Sequence, residues 1–142
     1  MVGPVVDVHA HVIVKEIQAA VHGHPGFDAM RATEARRQGP VSSEVSRKMF
    51  GARMPQLTDL HRRLADMDAA EVDVQVLSVS PSQYHYYADP DLAMIICRAA
   101  ARGVAAAVAE RPDRFTGLGL VPLQHPQLCV EALDDALAQG LL

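Results

Sequence analysis

The chain has 142 residues, 49% of them apolar and 21% charged, with 13 basic against 17 acidic side chains and a formal net charge of −4. That length and hydrophobicity suit one globular domain and exclude a disordered chain. The acid excess, with Arg36-Arg37 and Arg62-Arg63 as isolated basic pairs, excludes a nucleic-acid groove. No apolar run approaches the roughly 18 residues that cross a bilayer, and Met1–Val6 carries no export signal. A cytoplasmic address without a membrane partner is therefore expected.

In chain order, Pro4 to Ile13 (PVVDVHAHVI) is short and β-branched behind Gly3, which predicts a first, largely buried strand. Val14 to Gln56 mixes charge with glycine and proline and has weak periodicity. It reads as a long loop or insertion with one short helix, and excursions of this length usually serve function. Leu57, Leu60, Leu64 and Met67 mark one face of a helix from Thr58 to Ala70, with Thr58 as its N-cap. Val72 to Val79 (VDVQVLSV) predicts the second strand.

Asp89 and Pro90 start the next helix as cap and first residue. Its inward face is expected to carry Leu92, Ile95, Ile96, Ala99, Ala100, Gly103, Val104, Ala107 and Val108, ending at Arg111-Pro112. Phe115 to Leu123 predicts the third strand, with Gly117 and Gly119 admitting close packing. A last helix opens at His125-Pro126, turns Leu128, Ala132, Leu133, Ala136 and Leu137 inward and ends at Gly140. Cys97 and Cys129 fall in helices and read as buried free thiols. Strands alternating with helices predict an α/β fold with a parallel sheet.

Asp7, His9 and His11 are spaced by two, so a regular strand projects all three from one face. Neutral imidazoles at that spacing can share a divalent ion, and the end of a barrel strand is where such sites assemble. Asp7 is left as a supporting hydrogen-bond partner of that site or as a partner for nearby backbone. His85, after the second strand, lies at the same end and reads as lining a substrate pocket or capping the surface. His22 and His24 sit in a Gly/Pro-punctuated loop, His61 on a charged helix and His125 at a structural turn.

VDVHAH, MDAAEVDVQVLSVSP and RPDRFTGLGLVPLQHP together resemble the amidohydrolase-related, metal-dependent decarboxylases typified by the aminocarboxymuconate semialdehyde and γ-resorcylate enzymes. The resemblance implies a TIM barrel of which this chain, residues 1–142, holds the first three βα units, with residues 14–56 as an insertion after the first strand. It implies a divalent metal, commonly zinc, held by His9 and His11 together with a histidine and an aspartate from later strands, beyond Leu142. It also implies a small carboxylated substrate fixed by Arg53, with Arg47 as the weaker choice. Two positions depart from the family's pattern. Glu71 stands where relatives carry a left-handed glycine, and Ala101 where an asparagine is expected.

The expected activity is thus a metal-dependent carboxy-lyase or hydrolase. The alternative is an inactive, truncated piece that acts at most through interactions, and self-association is left open. Leu118, Leu120 and Val121 around Gly117 and Gly119 run into Pro122 without a third glycine, which argues against a dinucleotide-binding loop.

Overall fold

The computed structural model describes residues 3–142. Strand β1 (Val6–Val12) is followed by helices α1 (Lys15–Val21), α2 (Pro25–Thr58) and α3 (Leu60–Ala69), then strand β2 (Val74–Val79). A 3-10 turn, Pro81–Gln83, leads to α4 (Pro90–Glu110), strand β3 (Phe115–Gly117), a second such turn, Pro126–Leu128, and α5 (Cys129–Ala138). The strands form one parallel sheet in the order β1-β2-β3.

The core is built where the apolar periods of β2 and α4 predict it, with α1 added from the stretch expected to be a loop; β1, expected to be largely buried, buries only Ala10 and Val12 and leaves Val6 and Val8 exposed. Leu77 and Val79 of β2, Ile17 and Val21 of α1, and Ile96, Ala100 and Val104 of α4 are buried together with Phe115. Full burial of a side chain such as Phe115 contributes about 1.5–3 kcal/mol. By length and composition α4 is apolar enough to cross a membrane, contrary to the expectation that no segment is; here it packs its buried face on α1 and the sheet. Ile95 lies outside that face and is exposed. In α5 the buried pair is Ala132 and Ala136, while Leu133 and Leu137 are exposed rather than turned inward, and Gly119 packs directly against Ala136. A Cβ on Gly119 would lie 2.4 Å from that of Ala136.

Residues 14–56 are largely helical rather than a loop. Pro25 occupies the first turn of α2, and His24 caps it by accepting from the Gly26 amide at 3.1 Å. The helix breaks at Gly39 (φ 72°, ψ 168°) and resumes at Pro40, so it forms two arms. None of its residues is buried, which explains the missing apolar period. Thr58 is the last residue of α2 and donates back to the Met54 carbonyl at 2.9 Å. The cap of α3 is Asp59, which accepts from the amides of His61 and Arg62 at 2.9 and 3.1 Å. Strand β3 stops at Gly117, well short of Leu123; beyond it the Leu118 amide still bonds Leu77, and Leu142 bonds Gly117 and Gly119.

Candidate metal centre

The register of β1 on β2 pairs Asp7 with Gln75, Ala10 with Leu77 and His11 with Ser78. Three steps along β1 thus match two along β2, so a β-bulge lies between Asp7 and Ala10. Side chains alternate along β2, so Gln75 and Ser78 point to opposite faces, and their partners Asp7 and His11 do likewise. The expected common face for Asp7, His9 and His11 is therefore corrected: Asp7 lies on the face opposite to His11.

His9 and His11 do converge. Their ring centroids are 4.6 Å apart in an edge-to-face arrangement with an interplanar angle of 76°. His9 is exposed and His11 half-buried. The Nδ1 of His11 lies 3.0 Å from Ser78 Oγ, which leaves Nε2 for a ligand. Burial, and then the neighbouring His9, hold the His11 imidazole below its ordinary range, which keeps its lone pair free at neutral pH. The donor set fits a divalent cation as far as it goes. Among the described residues no group of three or more His, Cys, Asp and Glu side chains converges, and a zinc site takes about three protein ligands.

Behind the pair stands a residue that the apolar pattern conceals. Arg63 lies three residues after Leu60 and four before Met67, on the inward stripe of α3, and is only 8% exposed. Its guanidinium donates to Gln75 Oε1 at 3.0 Å and to the carbonyls of Gln56 and His11. Gln83 was also missed by sequence reasoning. It is buried in the turn after β2, and its amide accepts from the Val14 amide at 2.8 Å and donates to the Val14 carbonyl at 2.7 Å. A polar residue at helical spacing inside an apolar stripe was the available signal for Arg63; nothing local marks Gln83.

The substrate-side residues fall apart from one another. A cleft of about 1000 Å³ opens beside the end of β1, between α1 and the two arms of α2, lined by Phe27, Met30, Arg31, Arg47, Phe50 and Met54 among others. Arg47 lines it but is paired with Glu44 at 2.7 Å. Arg53 is exposed on α2 and is not part of the lining. His85 is 3% exposed, with both ring nitrogens unpartnered, and packs edge-on against Phe27 and beside Tyr87, outside the cleft. Burial lowers its pKa. His24 is structural rather than loose, stacking on Tyr87 at 5.5 Å. His61 is exposed, and His125 places Nε2 2.8 Å from the Ala88 carbonyl. Both cysteines are free; burial pushes the Cys97 thiol up to about 12.

The chain is 34% identical over 128 residues to the 2-amino-3-carboxymuconate-6-semialdehyde decarboxylase of Caenorhabditis elegans, covering 89% of this chain and 31% of that one. It is 32% identical over 88 residues to the γ-resorcylate decarboxylase of Rhodococcus jostii, covering 62% and 26%. The dihydroxybenzoic acid decarboxylase of Polaromonas, solved with manganese and 2-nitroresorcinol, superposes with a TM-score of 0.71 at 21% identity, over 99% of this chain and 37% of that structure. That likeness shows the fold, a run of βα units from a TIM barrel. The chain spans under a third of the length of these two curated relatives. The family model described as amidohydrolase matches residues 6–142, so the chain belongs to the amidohydrolase family.

Proposed function

We propose that the chain supplies the first two imidazole ligands of a metal-dependent carboxy-lyase, a decarboxylase of a small carboxylated aromatic or unsaturated acid. The observation that carries this reading is the convergence of His9 and His11, 4.6 Å apart, at the end of a parallel strand. The decarboxylases among its relatives support the reaction type.

A bound divalent ion, zinc or manganese, supplies a Lewis acid toward the substrate. The rest falls to the chain. His9 and His11 present imidazole nitrogen donors, and Ser78 fixes the ring of His11. Arg47 faces the cleft and is the better placed of the two arginines to grip a carboxylate, exchanging its Glu44 partner for it. Arg53 could serve only from its exposed position on α2, and His85 contributes by packing. In the reaction the bond from the substrate carbon to its carboxylate breaks, the electron pair stays on that carbon, carbon dioxide leaves and a proton takes its place.

A hydrolase using the same pair is distinguished by its products. The non-catalytic reading is favoured by one observation: only two ligand side chains converge among the described residues. Metal analysis of the purified chain beside a His9→Ala/His11→Ala double variant, with carbon dioxide release assayed on hydroxybenzoates, separates these readings. Stoichiometric zinc or manganese in the unaltered chain alone supports the metal centre. Equal, negligible metal in both rejects a site formed by this chain unaided.

A further inference from the structure

We propose that Asp7, Gln75 and Arg63 form a polar clamp that holds the bulge in β1 and so aims the two imidazoles; the inference rests on the metal reading above. Asp7 Oδ1 accepts from the His9 amide at 3.1 Å, and Oδ2 accepts from Gln75 Nε2 at 2.9 Å. Gln75 Oε1 accepts from Arg63 Nη1 at 3.0 Å, and Arg63 Nη2 donates to the His11 carbonyl. The circuit begins on the backbone of one ligand residue and closes on the backbone of the other. It runs on the face of the sheet opposite to the imidazole of His11, since Asp7 and Gln75 are paired there.

The physical need for such a device follows from the bulge. An extra residue breaks the ladder, and a backbone group that loses its partner must find another. Asp7 takes the amide of His9 inside the bulge; Arg63 takes the carbonyl of His11 just past it, which points away from β2 because the next carbonyl, that of Val12, receives the Ser80 amide. An apolar residue would serve the inward stripe of α3 if packing were the only requirement, because Leu60, Leu64 and Met67 flank position 63. A guanidinium there is a costly choice unless its donors are bonded, and these donors reach two main-chain carbonyls and an amide oxygen in one planar fork. The same fork binds the carbonyl of Gln56 at 2.6 Å, which ties the foot of α2 to the ligand strand. Arg63, Gln75 and Asp7 are thus positioning residues, and Asp7 acts through the backbone of His9 rather than on the cation.

The test uses the whole 142-residue chain with Gln75→Leu, which cuts the circuit while sparing both charged ends, and Arg63→Met. In the metal-free protein, amide exchange at His9 and the imidazole resonances of His9 and His11 are followed by NMR; zinc affinity is then measured by titration. The clamp predicts faster exchange at His9, shifted signals of both rings and zinc affinity lowered about 10–100-fold in Gln75→Leu. Unchanged His9 exchange and ring signals in a folded Gln75→Leu protein overturn the proposal, whatever happens to its melting temperature. Should Arg63→Met fail to fold, Gln75→Leu alone decides. If the unaltered chain takes up no zinc yet the ring signals move in Gln75→Leu, the metal reading fails while the clamp stands.

Discussion

Ser78 Oγ sits 3.0 Å from Nδ1 of His11, so the β2 residue directly opposite the second histidine in the register fixes its ring. Burial keeps this imidazole, and that of His85, below the ordinary range, with His9 adding to the effect at His11. Unfolded histidine titrates near about pH 6.5. Below that pH, and above the lower native values, the unfolded chain binds more protons, so stability falls as pH falls. The melting temperature is expected to be lower at pH 5.5 than at pH 7.5. His85→Phe, which keeps a ring beside Phe27 and Tyr87, should flatten part of that slope. An identical slope in the variant would remove His85 from the account.

Glu71 has φ 54°, the left-handed backbone that the departure from glycine implied. Its side chain is exposed, so nothing offsets a strain of roughly 1–2 kcal/mol for a non-glycine residue. Glu71→Gly should stabilise the chain by about 1 kcal/mol, the relief being partly cancelled by glycine's greater unfolded-state freedom. A denaturant midpoint at or below that of the unaltered chain contradicts this.

The helix cap is open to a paired test. Asp59 accepts from two amides of α3, whereas Thr58 only bonds back into α2. Asp59→Ala is expected to cost about 1 kcal/mol in urea unfolding, and Thr58→Ala well under that. A larger loss at Thr58 would restore it as the cap.

Gly103 meets Val14 where α4 crosses the end of β1. A Cβ there would lie 2.6 and 2.8 Å from the two γ-methyls of Val14. Val14 cannot retreat freely, because Gln83 holds both its amide and its carbonyl. Gly103→Ala gains about 1 kcal/mol of helix propensity but meets an overpacking cost of about 1–3 kcal/mol. A net loss of thermal stability is expected. Gln83→Leu should lose more, because each of two buried backbone groups left unpaired costs about 1–3 kcal/mol.

Strand β2 and α4 were legible because their apolar residues follow the period of the element that buries them, whereas β1 leaves Val6 and Val8 exposed and β3 ends early at Gly117. Asp89 also announces α4, accepting from the Leu92 amide at 2.9 Å as its cap. Helix α2 was not legible, since a helix with no buried residue carries no apolar stripe, and Gly39 with Pro40 mimics a loop. His9 and His11 were legible as a pair, but the bulge was not. VDVHAH alternates without a break, and only pairing with β2 reveals that Asp7 and His11 face apart. Arg63 escaped for a related reason: its partners are mostly main-chain carbonyls, which a side-chain pattern does not display.

The two arms of α2 rise from stems that are both made fast. At the first stem Gly26 leaves no space for a Cβ beside Tyr87, which would lie 2.4 Å away, and His24 stacks on the same ring. At the second, the Leu57 carbonyl receives the Ile13 amide at 3.0 Å. Between them the tip around Gly39 meets open space. Changes in the length or lettering of the outer arms can therefore accumulate without loosening the imidazole pair below. The cleft wall is the portion of this molecule freest to be rewritten.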